Sequence, residues 1–141
     1  MTDDISTGAP VDFDRLDLIR KRLAGDDRFA RVDWRPADTP DRLVFEYNAR
    51  LYPGSVETAT LSVVWFENGD VSLHYHEDHD EGTFDHRWDR HPSGHNDRDH
   101  VHPGPDASTP GENVSHPDDW RDVLSDVLVE VEERQRAFWR G

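Results

Sequence analysis

The sequence has no cysteine, which excludes a disulfide framework, a thiolate metal site and a cysteine nucleophile. It is also poor in the residues that build cores: Leu, Ile, Val and Phe together number 30 of 141 residues. That share stands only just above the roughly 20% below which a highly charged chain stays disordered, so folding has to be argued from pattern and not from composition. No apolar run approaches the roughly 18 residues of a membrane helix, and the acidic start Met1-Thr2-Asp3-Asp4-Ile5-Ser6 carries neither a basic region nor an apolar one. The expectation is a cytoplasmic protein that does not meet a membrane.

Lysine is nearly absent as well. Of the 16 basic residues only Lys21 is not Arg, and against them stand 31 Asp and Glu, for a net charge of -15. The acids occur in every segment instead of gathering on one stretch, as an acidic imitation of nucleic acid would require. Spread charge of this size repels itself in dilute buffer, whereas at molar salt the Debye length falls to about 3 Å and the repulsion largely disappears. The composition resembles that of a salt-accumulating, haloarchaeal-type cytoplasm.

Periodicity supplies the fold that composition leaves open. A flexible tail is expected over residues 1–10 and a single domain over 11–141. Asp12 is placed to cap a short helix carrying Phe13, Leu16, Ile19 and Leu23 on one stripe, with Gly25 to end it. Strands follow at Ala30 to Trp34, Arg42 to Leu51 and Thr58 to Phe66, then a type I′ turn at Asn68-Gly69 and a strand from Val71 to His76. A last strand spans Thr83 to Asp89, and a turn centred on Asp78 to Glu81 sets Tyr75 opposite Phe84, Leu73 opposite His86 and His74 opposite Asp85. Five prolines and three glycines make residues 91–117 a long irregular loop, of a length that is often functional. Ser115 and Asp118 resemble a capping box, after which Trp120, Val123, Leu124, Val127, Leu128 and Val131 mark an amphipathic helix. The fold class is α+β: one antiparallel meander of about five strands, with an N-terminal helix and a long C-terminal helix on one face.

Chemistry concentrates in one region. Eight of the nine histidines lie between His74 and His102. Imidazole is the side chain that serves as acid or base near neutral pH, and its neutral ring is a common metal ligand. His86 beside Trp88 reads as a core histidine and His79 as a solvated one. From His86 to Pro103 the charges of Arg87, Arg90 and Arg98 balance those of Asp89, Asp97 and Asp99, so an anionic substrate is repelled least here.

Arg87-Trp88-Asp89, then Pro92 and His95, then His100-Val101-His102-Pro103 and a terminal amphipathic helix resemble the TumE-type toxin family of small prokaryotic toxin–antitoxin modules. Ser93 and Gly94 separate Pro92 from His95, where that family carries Pro and His side by side. The resemblance implies RNA cleavage by a toxin that a helix-turn-helix antitoxin neutralises. On that reading the chain is an endoribonuclease needing no cofactor. His100 and His102, two apart in an extended stretch, converge on one phosphate as base and acid, His95 joins them, and Asp99 orients one ring. Arg87 or Arg90 clamps the anion, with Trp88 and Asp89 completing the substrate-binding set. Two other readings stand beside it. His95, His100 and His102 with Asp97 or Asp99 would make a module that binds a divalent metal such as zinc, nickel or copper, and a protein without a catalytic site would bind a partner through its sheet.

If the dispersed acids are an adaptation to salt, the thermal midpoint should climb as potassium chloride is raised into the molar range, because screening removes self-repulsion from the folded state. A midpoint that stays flat from dilute buffer to molar salt would contradict this.

Overall fold

The computed structural model of the chain describes residues 8–140. The element order is α1 (Phe13–Leu23), β1 (Phe29–Arg35), β2 (Arg42–Tyr47), a 3-10 turn (Ala49–Leu51), β3 (Val56–Trp65), β4 (Val71–His79), β5 (Gly82–Arg90), β6 (Asp99–His102), β7 (Glu112–Asn113) and α2 (Trp120–Ala137). The strands form one sheet in sequence order, and each pairs antiparallel with the next. The class is therefore α+β, as the alternation predicts, with seven strands in place of five. The expected tail lies mostly outside the described residues. Its end is tied down, since Glu67 N–H donates to the Pro10 carbonyl at 2.9 Å and Asp12 N–H to the Trp65 carbonyl at 2.8 Å.

Both helices cover the same face. Leu16, Ile19 and Leu23 of α1 and Trp120, Val123, Leu124, Val127, Leu128 and Val131 of α2 join Leu43, Phe45, Leu61, Val63, Leu73 and Tyr75 in one buried cluster. Asp12 caps α1 by accepting from Arg15 N–H at 2.9 Å. Phe13 departs from its expected place on the inner stripe: it is 48% exposed and packs its ring 6.0 Å from that of Trp34. At α2 the cap is Asp119, which accepts from Arg121 N–H at 2.8 Å, so Ser115 and Asp118 do not form the expected box.

Three local expectations are corrected by turn chemistry. At the β3–β4 hairpin only Gly69 has positive φ, +90°, and its N–H donates to the Phe66 carbonyl at 3.0 Å while Phe66 N–H donates to Asp70. That is a type I turn closed by a glycine bulge in place of type I′, which would need Asn68 at positive φ too. β2 stops at Tyr47 because Asn48 caps the 3-10 turn with its side chain, so Ala49 is not in the strand. The β4–β5 hairpin pairs His79 with Gly82, so its turn is centred on Asp80 and Glu81, one residue later than expected. The register consequently slips by two, setting Leu73 opposite Trp88, His74 opposite Arg87, Tyr75 opposite His86 and His76 opposite Asp85.

The segment 91–117 is not the irregular loop that its prolines imply. Pro92 and Pro103 bracket β6 without interrupting it, and β7 is a two-residue edge paired to it through His100–Asn113 and Val101–Glu112. Side chains then sort by parity. Leu73, Tyr75, Trp88 and Val101 face the helices, while Ser72, His74, His76, Asp85, Arg87, Asp89, His100 and His102 share the other face, which no helix covers.

One charged group is buried under α2. Glu77 is fully buried and accepts from Arg134 Nε and Nη2, both at 2.7 Å, from His79 Nε2 at 2.6 Å and from the Tyr75 hydroxyl. Tyr52 O–H donates onward to Tyr75 at 2.8 Å and accepts from Gln135 Nε2 at 2.7 Å, so the relay leaves no member unsatisfied. His79, expected to be solvated, is half-buried by this bond. Burial alone would raise the Glu77 pKa, but Arg134, Tyr75 and His79 outweigh it and hold the carboxyl below its ordinary 4.5. A depressed acid stabilises the fold above its unfolded value and loses that contribution as pH falls through the folded one. Arg134→Ala leaves the carboxylate buried without its main partner and should cost about 3–5 kcal/mol. It should also shift acid unfolding, followed by circular dichroism, to higher pH; an unaltered melt and acid midpoint would show that the pair does not hold α2.

Candidate functional site

The uncovered face carries two clusters, and Arg87 stands between them. Among the described residues these are the two groups whose His and carboxylate atoms lie close enough to share one ion: His74, His76 and Asp85, half-buried, and Asp89, His100 and His102, fully buried. The first was not expected as a site. His74 Nε2 and His76 Nδ1 each lie 2.7 Å from Asp85 Oδ1, and His76 Nε2 lies 3.0 Å from Asp78 Oδ1. The rings are 6.2 Å apart and nearly perpendicular. The His74–Asp85 contact expected from direct pairing exists, but diagonally across the ladder, since the residue facing His74 is Arg87. The His74 and His76 side chains are 40% and 31% exposed, so both rings reach solvent. Burial alone would lower the His76 pKa, yet the hydrogen bonds its ring donates to Asp85 and Asp78 outweigh it and raise it above the ordinary 6.5.

The second cluster is built around Asp89. Oδ1 accepts from the Ser72 hydroxyl at 2.6 Å and Oδ2 from Arg87 Nε at 2.8 Å. The same Oδ2 lies 3.2 Å from His91 Nε2, 3.5 Å from His100 Nε2 and 3.4 Å from His102 Nε2. Each of these rings turns its other nitrogen to a backbone carbonyl, His91 to Pro92 at 2.9 Å, His100 to Asp97 at 2.8 Å and His102 to Ser108 at 3.0 Å. A carbonyl only accepts, so Nδ1 carries the proton; His91 also hydrogen-bonds Asp89 through Nε2, whereas a neutral ring at His100 or His102 presents its lone pair there. Burial alone would raise the Asp89 pKa, but His91, Arg87 and Ser72 outweigh it and hold the group at about 2. Burial is also the main cause that lowers the His100 pKa.

The expected site residues divide accordingly. His100 and His102 point the same way, as their spacing predicts, but both are 0% exposed, and neither can meet an RNA phosphate in this conformation. His95 is exposed and stands apart from both clusters. Asp99 orients no catalytic ring: it accepts from Arg90 Nε at 2.8 Å and from His116 N–H at 2.9 Å. Arg90 Nη2 also donates to the His116 and Pro117 carbonyls, both at 2.9 Å, and so ties the chain leading into α2 to the sheet. Trp88 faces the helices, where its indole N–H donates to Glu130 at 2.7 Å, which removes it as a stacking platform for a base. His86 is the core-side histidine that its parity predicts; burial lowers its pKa to about 4, and Nδ1 accepts from Gly104 N–H at 3.0 Å. His91, which sequence reasoning left out, enters the cluster because it follows β5 directly and folds back onto Asp89.

Compared with known proteins, residues 16–135 match a family model described as Toxin TumE. No curated protein and no solved structure matches the chain.

Proposed function

The chain belongs to the TumE toxin family, and from that premise we propose that this toxin of a toxin–antitoxin pair is an endoribonuclease whose RNA lies across the uncovered face of the sheet. The observation that carries the reading is the pair of half-exposed imidazoles, His74 and His76, held by one Asp85 oxygen at 2.7 Å each. Cleavage without an external reagent needs one base and one acid on either side of a phosphodiester. His76, with its raised pKa, is the protonated acid, and His74 is the base. His74 takes the proton of the 2′-hydroxyl, whose oxygen bonds to phosphorus as the bond to the 5′-oxygen breaks. His76 gives its proton to that leaving oxygen, so the products are a 2′,3′-cyclic phosphate and a free 5′-hydroxyl. Arg87, opposite His74 in the ladder, supplies a fixed positive charge beside the phosphate, although its Nε is engaged by Asp89. The roles first given to His100 and His102 pass to His74 and His76 because accessibility differs, not chemistry. RNA as target places the action in the cytoplasm, and a helix-turn-helix antitoxin is the proposed partner that neutralises it.

Single-stranded RNA incubated with the folded chain in molar potassium chloride should be cut in the presence of EDTA. His74→Ala or His76→Ala should each slow cutting by about 10²–10⁴. The rate should follow a bell in pH, with its descending limb above pH 6.5, where a raised His76 loses its proton. Asp85→Asn should move that limb to lower pH, because it removes the carboxylate that holds the proton on His76. RNA that survives a panel of sequences with folded protein would defeat the reading, and so would unaltered cutting by both histidine variants.

A further inference from the structure

The Asp89 cluster has a geometric property that hydrogen bonding does not explain. Three nucleophilic atoms face one another: Asp89 Oδ2 and the Nε2 atoms of His100 and His102. The carbonyl partners at Asp97 and Ser108 fix the proton of both rings on Nδ1, so the inward nitrogens are acceptors beside an acceptor. His100 Nε2 is completely buried and has no hydrogen-bond partner. Leaving such an atom buried and unmatched is costly, unless something electrophilic is shared among the three.

The distances identify that something. Hydrogen bonds between imidazole and carboxylate close to about 2.7–2.9 Å, as they do at Asp85, where both are 2.7 Å. Between Asp89 Oδ2 and the Nε2 atoms of His100 and His102 the contacts are 3.5 and 3.4 Å. Ligand atoms at about 2.0–2.1 Å from a tetrahedral zinc ion stand about 3.3–3.4 Å from one another, whereas an octahedral set at the same radius has edges of about 2.9–3.0 Å. The supports are also those of a metal site: each ring is oriented by a carbonyl at Nδ1, and the carboxylate is held by Ser72 and Arg87.

We propose that Asp89, His100 and His102 bind one divalent ion of the zinc class. The three ligands are fully buried and stand on neighbouring strands, so the ion acts as a clamp that joins β5 to β6. The inference does not rest on the nuclease reading: a chain that holds metal and spares RNA defeats that reading alone, and a chain that cuts RNA but holds no metal defeats this one alone.

The test uses the full chain without a polyhistidine tag, produced in zinc-supplemented medium and kept in molar potassium chloride. Elemental analysis should find about one zinc per chain. Cobalt(II) put in its place should show the intense visible bands of a tetrahedral site. Removing the metal with chelator should lower the melting temperature, and returning zinc sulfate should restore it. His100→Ala and Asp89→Asn should lose the metal, whereas His95→Ala and His76→Ala should keep it. Asp89→Asn preserves the shape of the side chain, and folding of each variant is followed by circular dichroism. Should a ligand variant fail to fold, the metal content and cobalt spectrum of the unmodified chain still decide. Folded unmodified chain that takes up neither zinc nor cobalt would overturn the proposal, as would stoichiometric uptake that persists in the Asp89→Asn and His100→Ala variants or disappears with His76→Ala.

Discussion

The carboxylate of Asp89 has no exposed surface, and the architecture of the C-terminal half of the sheet follows from satisfying it. A buried charge must be matched by neighbours, and those that hydrogen-bond it come from different parts of the chain. Ser72 reaches it across the β4–β5 ladder, Arg87 from two residues earlier on its own strand and His91 from just beyond β5, while His100 and His102 approach it from β6. Moving β4 or β6 by one residue would turn Ser72 or both histidines to the helix side, so this group fixes register as well as charge. Local packing adds to the constraint: a Cβ on Gly111 would come within 2.3 Å of the Val101 carbonyl oxygen, which is why the segment that closes over His102 passes there with no side chain.

The two faces of the sheet divide the labour. One is covered by α1 and α2, and Glu77, buried there, is matched by Arg134 of α2. The other carries polar residues, with the clusters at Asp85 and Asp89 on adjoining strands. The clusters differ in access and not in residue type. Half-exposed imidazoles are free to exchange protons with a bound substrate, whereas fully buried ones serve best as fixed ligands. On this account the toxin keeps its chemistry at His74 and His76 and its structural clamp at Asp89.

Much of this was legible in the sequence, and what was hidden has a common cause. The stripe from Trp120 to Val131 and the alternation of β3 and β4 are strong periodic signals, and they predicted the covered face correctly. The spacing of His100 and His102 placed both on one side. The strands β6 and β7 were missed because four and two residues between prolines are too few to show a period. The slip in the β4–β5 register came from a turn centred one residue later than the stretch Asp78 to Glu81 implied. Asp89 and His91 could not be placed with the later histidines without the β5–β6 pairing, and the burial that separates the two clusters depends on segments folding over the sheet, which no local pattern records. Phe13 lay on the right helical stripe but at its solvent end.

Anomalous diffraction at the zinc edge, from crystals of the untagged chain grown in molar salt with zinc, tests the central claim most directly. The account predicts one strong peak between Asp89 Oδ2 and the Nε2 atoms of His100 and His102, at about 2.0–2.2 Å from each. Density free of any anomalous peak among these three residues, with Asp89 paired only to Ser72, Arg87 and His91, would contradict it.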